Sequence, residues 1–208
     1  MEKYDYWGLD QLEQYEKDLD TVYSLSIKEG YDCAYTEKFE DTLGLYGETN
    51  RDSVQNFMEY FADYFVDPDG VFYDLGSGIG KLVSHVALGS TLSKVCGIEL
   101  DKVRHGKAQK LVDSLNFPFS KPDLINADFL NCNYSDATII YFDNTMWNDE
   151  FAEKKDLVFK LFETIRPGVL IISKMEIPHV SCHKKYIRLE NSYSDDHGLA
   201  SIFLSIST

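Results

Sequence analysis

The stretch VFYDLGSGIGKLVSHVALG, Val71 to Gly89, decides the fold of this chain, together with CGIEL at Cys96 to Leu100. Val71 to Leu75 is a β-branched and aromatic run, Gly76, Gly78 and Gly80 follow as Gly-x-Gly-x-Gly, and an apolar-periodic segment comes next. That order reads strand, glycine turn, helix. Glycines there let the backbone approach a ligand without Cβ clashes, and the start of a helix offers unpaired N–H groups at its positive dipole end. A nucleotide-like ligand is expected. Glu99 closes the next apolar run, where its carboxylate can accept from the two hydroxyls of a ribose.

Glycine spacing separates the possible ligands. A dinucleotide fingerprint needs its third glycine at 81, where Lys81 stands, and a P-loop needs Ser or Thr after Gly-Lys, where Leu82 follows. Asp74, ahead of the first glycine, can accept from an ammonium, a charge-assisted contact that a pyrophosphate would repel. Asp74, the compressed glycine spacing and an acidic residue 25 positions later suit the S-adenosylmethionine site of class I methyltransferases.

Outward from the loop, strands and helices alternate. VFYDL, a helix from about Lys81 to Gly89, KVCGIE, a helix from about Lys102 to Leu115, DLIN, TIIYF, a helix from about Asp149 to Thr164 and VLIIS form β-α units. After Pro178, KKYIRLENSY, a turn at Asp195 to Gly198 and LASIFLSIS read as an antiparallel hairpin closing the sheet. The expected fold is α/β, a doubly wound, mostly parallel sheet with an antiparallel edge. Ligands in such sheets bind at the carboxyl ends of the strands, where the glycine loop, Glu99, Asp128, Asp143 and Asn144 all fall. Upstream, apolar residues three to four apart from residue 8 to about 29 predict one amphipathic helix ending near Gly30, a cap or lid. A second helix is expected over about Asp52 to Phe65, before the turn sequence Asp67-Pro68-Asp69-Gly70. The division that follows is a cap and donor loop over residues 1–50 and a methyltransferase domain over 51–208.

With 208 residues, 44% of them hydrophobic, the chain can bury one good core. Its net charge of −15 argues against unaided DNA binding, which draws on Lys and Arg, and favours a basic protein partner. Cys33, Cys96, Cys132 and Cys182 form no C-x-x-C pair, and His179 and His183 lie beside Pro178, so neither zinc nor a disulfide framework is expected. No apolar stretch approaches ~20 residues and the acidic start is unlike a signal peptide. An intracellular soluble protein is the expectation, and no membrane partner.

Other candidates lie at the strand ends. Asp128-Phe129 suits an adenine, whose amine donates while its ring lies on an apolar face, and equally suits a loop acid beside a core Phe. In Thr138 to Glu150, TIIYFDNTMWNDE, the amide of Asn144 and the carboxylate of Asp143 can hold an acceptor amine, and Thr145 and Trp147 follow. Trp147 fits a channel wall or plain packing. In LYGETNRDS, Leu45 to Ser53, Glu48 can reach a donor's amino group, Tyr46 can line an acceptor channel, and Thr49 or Asn50 can cap the next helix.

YGET at Tyr46 to Thr49, YDLGSGIGK at Tyr73 to Lys81, GIEL at Gly97 to Leu100, ADF at Ala127 to Phe129 and FDNTMWNDE at Phe142 to Glu150 occur in one order. Over about residues 45–175 the chain resembles the disruptor-of-telomeric-silencing family, non-SET histone lysine methyltransferases with a class I, seven-stranded fold. It looks like a short, acidic form of that family. The resemblance implies a donor-loop role for Tyr46, Glu48 and Thr49, and a glycine-loop role for Asp74, Gly76, Gly78 and Lys81. It assigns the ribose to Glu99, the adenine to Asp128 and Phe129, and the acceptor lysine to Asn144 or the adjoining Asp143. Lys81 stands where some members have Gln, and Asp143-Asn144 replaces an Asn-Asn pair. For the family's C-terminal channel aromatics, Tyr193, Ile202 and Phe203 are the nearby positions. The implied activity is methylation of a core histone lysine in the nucleus, with S-adenosylhomocysteine as product. A methyltransferase acting on another protein or a small molecule, or a donor-binding module without catalysis, are the alternatives.

Overall fold

The computed structural model describes residues 9–31, 48–144, 152–173, 177, 183–187 and 200–204. Near-continuous apolar runs bounded by turns give strands buried on both faces, as a covered parallel sheet requires. The parallel strands are β1 (Val71–Leu75), β2 (Lys94–Glu99), β3 (Asp123–Asn126), β4 (Ile139–Phe142) and β5 (Leu170–Ser173). β3, largely exposed, is an edge. β6 (His183–Ile187) and β7 (Ala200–Leu204) run antiparallel on the other side, in the order β3-β2-β1-β4-β5-β7-β6. The connection expected to turn at Asp195 to Gly198 lies outside the described residues. Strand order reverses between β1 and β4, which opens a crevice at the carboxyl ends of those two strands.

The helices follow from caps and apolar faces. The helix expected over residues 8 to 29 is two, α1 (Leu9–Ser24) and α2 (Ile27–Tyr31). Ser24 Oγ turns back to the Thr21 carbonyl at 2.8 Å, and the Ser26 N–H donates to Glu29 Oε1 at 3.3 Å, one half of a capping box that starts a new helix. The helix expected over 52 to 65 also divides, into α3 (Arg51–Tyr60) and α4 (Ala62–Phe65), because Phe61 leaves helical dihedrals at φ −110°, ψ 35° while its side chain stays buried in the core. Asn50 caps α3, its Oδ1 accepting from the Ser53 N–H at 2.8 Å. Next come α5 (Lys81–Gly89), buried along its whole length, α6 (Lys102–Asp113), capped by Asp101, and α7 (Ala152–Thr164). α6 stops short of Leu115, where the backbone tightens to i−3 bonds, Ser114 N–H to the Leu111 carbonyl at 3.0 Å and Leu115 N–H to the Val112 carbonyl at 3.4 Å.

Strand alternation sorts the core into two layers. Phe72, Val95, Ile139 and Tyr141 meet Phe57, Met58, Phe65 and Val86 from α3, α4 and α5 on one face. Tyr73, Ile98, Ile140 and Phe142 meet Val158 and Phe162 of α7 on the other. Outside α5, the α1 residues Tyr15, Leu19 and Val22 pack on Leu88, Leu111 and Leu115. A buried polar junction pins α1 there, with Tyr23 OH 2.8 Å from His85 Nδ1, and Tyr15 OH donating to Gln55 Oε1 at 3.2 Å. No helix among the described residues is long and apolar enough to cross a membrane.

Candidate active site

β1 carries Asp74 to the carboxyl end of the sheet, and the chain then turns through Gly76, Gly78 and Gly80 at φ 88°, 57° and 82°. Positive φ at these positions favours glycine. The amides of Gly76 and Ser77 both donate to the Ile98 carbonyl at 2.9 Å, and that of Gly80 donates to Ser77 at 2.9 Å. Gly78 N–H donates to Glu99 Oε2 at 2.8 Å. The loop amides at these four positions are therefore consumed within the protein and form no phosphate cradle. What the loop offers is room. A Cβ on Gly76 would meet nothing within 4 Å, whereas one on Gly97 would sit 2.8 Å from Ser77 Oγ, and one on Gly80 2.9 Å from Ala108 Cβ.

Beside the loop lies a shallow cavity open to solvent, whose roughly 380 Å³ of empty space includes that open side. Asp74, Gly76 and Gly78 form one wall, Lys81 and Leu82 a second, and Tyr141 and Asp143 at the end of β4 a third. Glu48 and Thr49, ahead of α3, complete it. Asn144, next to Asp143, is buried.

Its electrostatics are acidic. Burial, then Asp143, then Glu99 push the Asp74 carboxyl well above the usual carboxylate range. Among the described residues no hydrogen bond or ion pair reaches that carboxylate. Glu99 stands behind the loop, its Oε1 accepting from the Asp101 N–H at 2.7 Å as Oε2 accepts from Gly78. Burial raises its pKa, opposed by those two N–H groups and by Arg104. A buried carboxylate with no cation paired to it favours a cationic guest and disfavours a phosphate.

The other candidates separate. Glu48 pairs with Lys81 Nζ at 2.6 Å, and the same Nζ donates to the Leu25 carbonyl at 2.5 Å. Thr49 Oγ1 lies 2.5 Å from Tyr141 OH, and the Tyr141 ring stacks on Phe57 at 5.9 Å. Asp128 caps a 3-10 turn, accepting from the Leu130 N–H at 3.0 Å, and Phe129 meets Phe142 edge-on at 5.6 Å. Both are half-buried and neither lines the cavity. Tyr46, Thr145, Trp147 and Tyr193 lie outside the described residues, and Ile202 and Phe203 are strand positions in β7. Tyr141, in the strand TIIYF, is a cavity residue without a motif to mark it. Its signal was alternation: β4 registers Tyr141 with Asp74, and β2 places Gly97 in the same row.

Comparison with known proteins adds to this geometry. A histone-lysine N-methyltransferase specific for H3 lysine 79 from Caenorhabditis elegans is 28% identical over 148 residues, 65% of this chain. The chain spans only 15% of that relative's length. A carboxy-S-adenosyl-L-methionine synthase from Sulfurimonas denitrificans is 23% identical over 86% of this chain and 77% of its own. An RNA methyltransferase from Salinibacter ruber, solved with S-adenosyl-L-homocysteine, superposes with a TM-score of 0.55 at 22% identity over 76% of this chain and 92% of that one. The N-methyltransferase NodS from Bradyrhizobium japonicum does so with a TM-score of 0.57 at 10% identity, over 76% of this chain and 96% of that one. These two share the fold. The family model described as histone methylation protein DOT1 matches residues 23–195, a span that takes in the glycine loop, Glu99 and the Asp143-Asn144 pair, and the chain belongs to that family.

Proposed function

We propose that this chain is an S-adenosylmethionine-dependent protein-lysine N-methyltransferase whose acceptor is a lysine of a core histone. The observation that carries the reading is Asp74, a buried carboxylate that lines the cavity with two acidic neighbours and, among the described residues, no ion-pair partner, since the cavity's Lys81 is paired with Glu48. The donor fits this cradle, since it brings an ammonium and a sulfonium, and the open side of Gly76 leaves it space. When bound, S-adenosylmethionine supplies a methyl group already activated on sulfur, so no protein nucleophile is required.

The chain's own residues bind, orient and desolvate. Asp74 holds the donor ammonium. Glu99, with one backbone N–H on each oxygen, keeps further lone pairs for ribose hydroxyls. Asp128 and Phe129, although outside the cavity wall, are assigned the adenine by the family resemblance, and Tyr46, Glu48 and Thr49 the donor loop. Asn144 and Asp143 receive the acceptor amine. A lysine ammonium, pKa ~10.4, has no lone pair, so it must lose a proton before attack. Burial promotes that loss, and the Asp143 carboxylate can accept the proton.

The same reading takes residues 1–50 as cap and donor loop and 51–208 as the catalytic domain. It takes the sheet as the seven-stranded class I type closed by a C-terminal hairpin, and places the protein in the nucleus with a basic partner and no strong DNA binding of its own. A radiolabelled methyl assay on nucleosomes, free histones and a cell extract tests it. Label on a histone is expected; label confined to another protein or a small molecule removes the histone assignment. Asn144→Ala is expected to lower turnover by about 100-fold, the scale of one lost polar contact to a reacting group, with S-adenosylhomocysteine affinity retained. Failure of both S-adenosylmethionine and S-adenosylhomocysteine to bind in calorimetry overturns the methyltransferase reading.

A further inference from the structure

We propose that Lys81 is a positioning residue, which ties the N-terminal helices and the Glu48 wall of the cavity to the glycine loop as one unit; its effect on the donor rests on the reading of the cavity given above. Lys81 is the first residue of α5, directly after Gly80, and is only 6% exposed. Its ammonium meets two segments far apart in sequence, the Leu25 carbonyl between α1 and α2 and the Glu48 carboxylate.

The need for such a cation is built into the cap. The last carbonyls of a helix carry partial negative charge and lack partners within the helix. α1 has no basic residue in its last turn. At its end the cation comes from the body, Lys81 at the Leu25 carbonyl, and the body also reaches α2, with Lys107 Nζ donating to the Glu29 carbonyl at 2.7 Å and Arg104 Nε to the Gly30 carbonyl at 3.1 Å. From α3, Arg51 reaches Glu16 and, at 3.0 Å, Asp20. Lys107 and Arg104 bind cap to body. Lys81 does more, because it and its partner Glu48 both line the cavity.

Two consequences follow. Without Lys81 the Glu48 carboxylate, 15% exposed, would lose this ion pair beside a cavity that already holds Asp74 and Asp143. That repulsion would displace the Glu48 wall. The Leu25 carbonyl would lose its donor at the same moment, so cap and wall would loosen together.

Amide hydrogen exchange on the full chain, without ligand, reads this directly. In Lys81→Met, exchange over residues 23–31 and 49–55 is expected to speed up at least tenfold while β1 and β4 keep their protection, and Lys81→Arg is expected to restore most of it. S-adenosylhomocysteine affinity, measured by calorimetry, is expected to fall at least tenfold in Lys81→Met. Unchanged exchange over 23–31 overturns the proposal, as does a loss of affinity with the cap unmoved, which would make Lys81 a plain donor contact. Should Lys81→Met fail to fold, Glu48→Gln is the second test. It takes away the charge that holds Lys81, and unchanged exchange over 23–31 in that variant also overturns the proposal. The exchange arm needs no donor, so a wild-type chain that binds no S-adenosylhomocysteine overturns the methyltransferase reading alone.

Discussion

Asp74 is charged only against resistance, since burial and the neighbouring Asp143 and Glu99 all favour its protonated form. Its folded pKa lies above the unfolded value, so its contribution to stability is complete below the unfolded pKa and is lost as pH rises through the folded one. The donor-free chain should therefore lose stability over that rise, and Asp74→Asn should flatten the loss, as denaturant midpoints across pH would show. Glu99, also raised, contributes with the same sign. A cationic donor reverses the preference at Asp74, so its binding should release a proton and tighten as pH rises, visible by calorimetry in buffers of different ionisation enthalpy. Glycines give a second residue-scale contrast. Gly97→Ala should cost about 1–3 kcal/mol by overpacking against Ser77, whereas Gly76→Ala should cost only its left-handed backbone, about 1–2 kcal/mol, yet impair donor binding. Thermal melts with and without S-adenosylhomocysteine separate them. Gly76 was legible from its motif. Gly97 was not legible as a packing glycine, because its reason is Ser77, twenty residues earlier and on a neighbouring strand's loop.

At the scale of elements, the four inner parallel strands lie where β-branched runs placed them, because each is buried on both faces and its composition says so. The helix breaks at Leu25-Ser26 and at Phe61 escaped the apolar periodicity, which continues through both. The first carried a local signal, the Ser26-x-x-Glu29 capping pattern; the second depends on where the Phe61 side chain packs. α1 is more than a loose appendage, since Leu19 is buried between it and Leu88, Leu111 and Leu115. Leu19→Ala should cost about 2–5 kcal/mol, the usual range for such a deletion. A stability change below 1 kcal/mol in denaturant unfolding, about the level of a surface substitution, would argue that the cap docks weakly.

For the whole molecule, the net charge of −15 sets the approach of a partner. If the acceptor is a basic protein, its KM should rise steeply with added salt while the S-adenosylhomocysteine Kd, set inside the cavity, changes much less. Steady-state kinetics across ionic strength would check this, and a salt-independent KM would remove electrostatic steering from the account.

The sequence by itself determined the parallel α/β core, the glycine turn and the acidic residues at the strand ends, because β-branched runs, spacing and charge are local properties. Only the tertiary structure decided which groups share the cavity. It spent the loop amides on Ile98 and Glu99, set Tyr141 in the row of Asp74, turned Asp128 into a cap, and gave Glu48 to Lys81 and through it to Leu25. Apart from the local Asp128 cap, such pairings join residues tens of positions apart, and hydrogen-bond partners at that separation are chosen by packing, which no local pattern encodes.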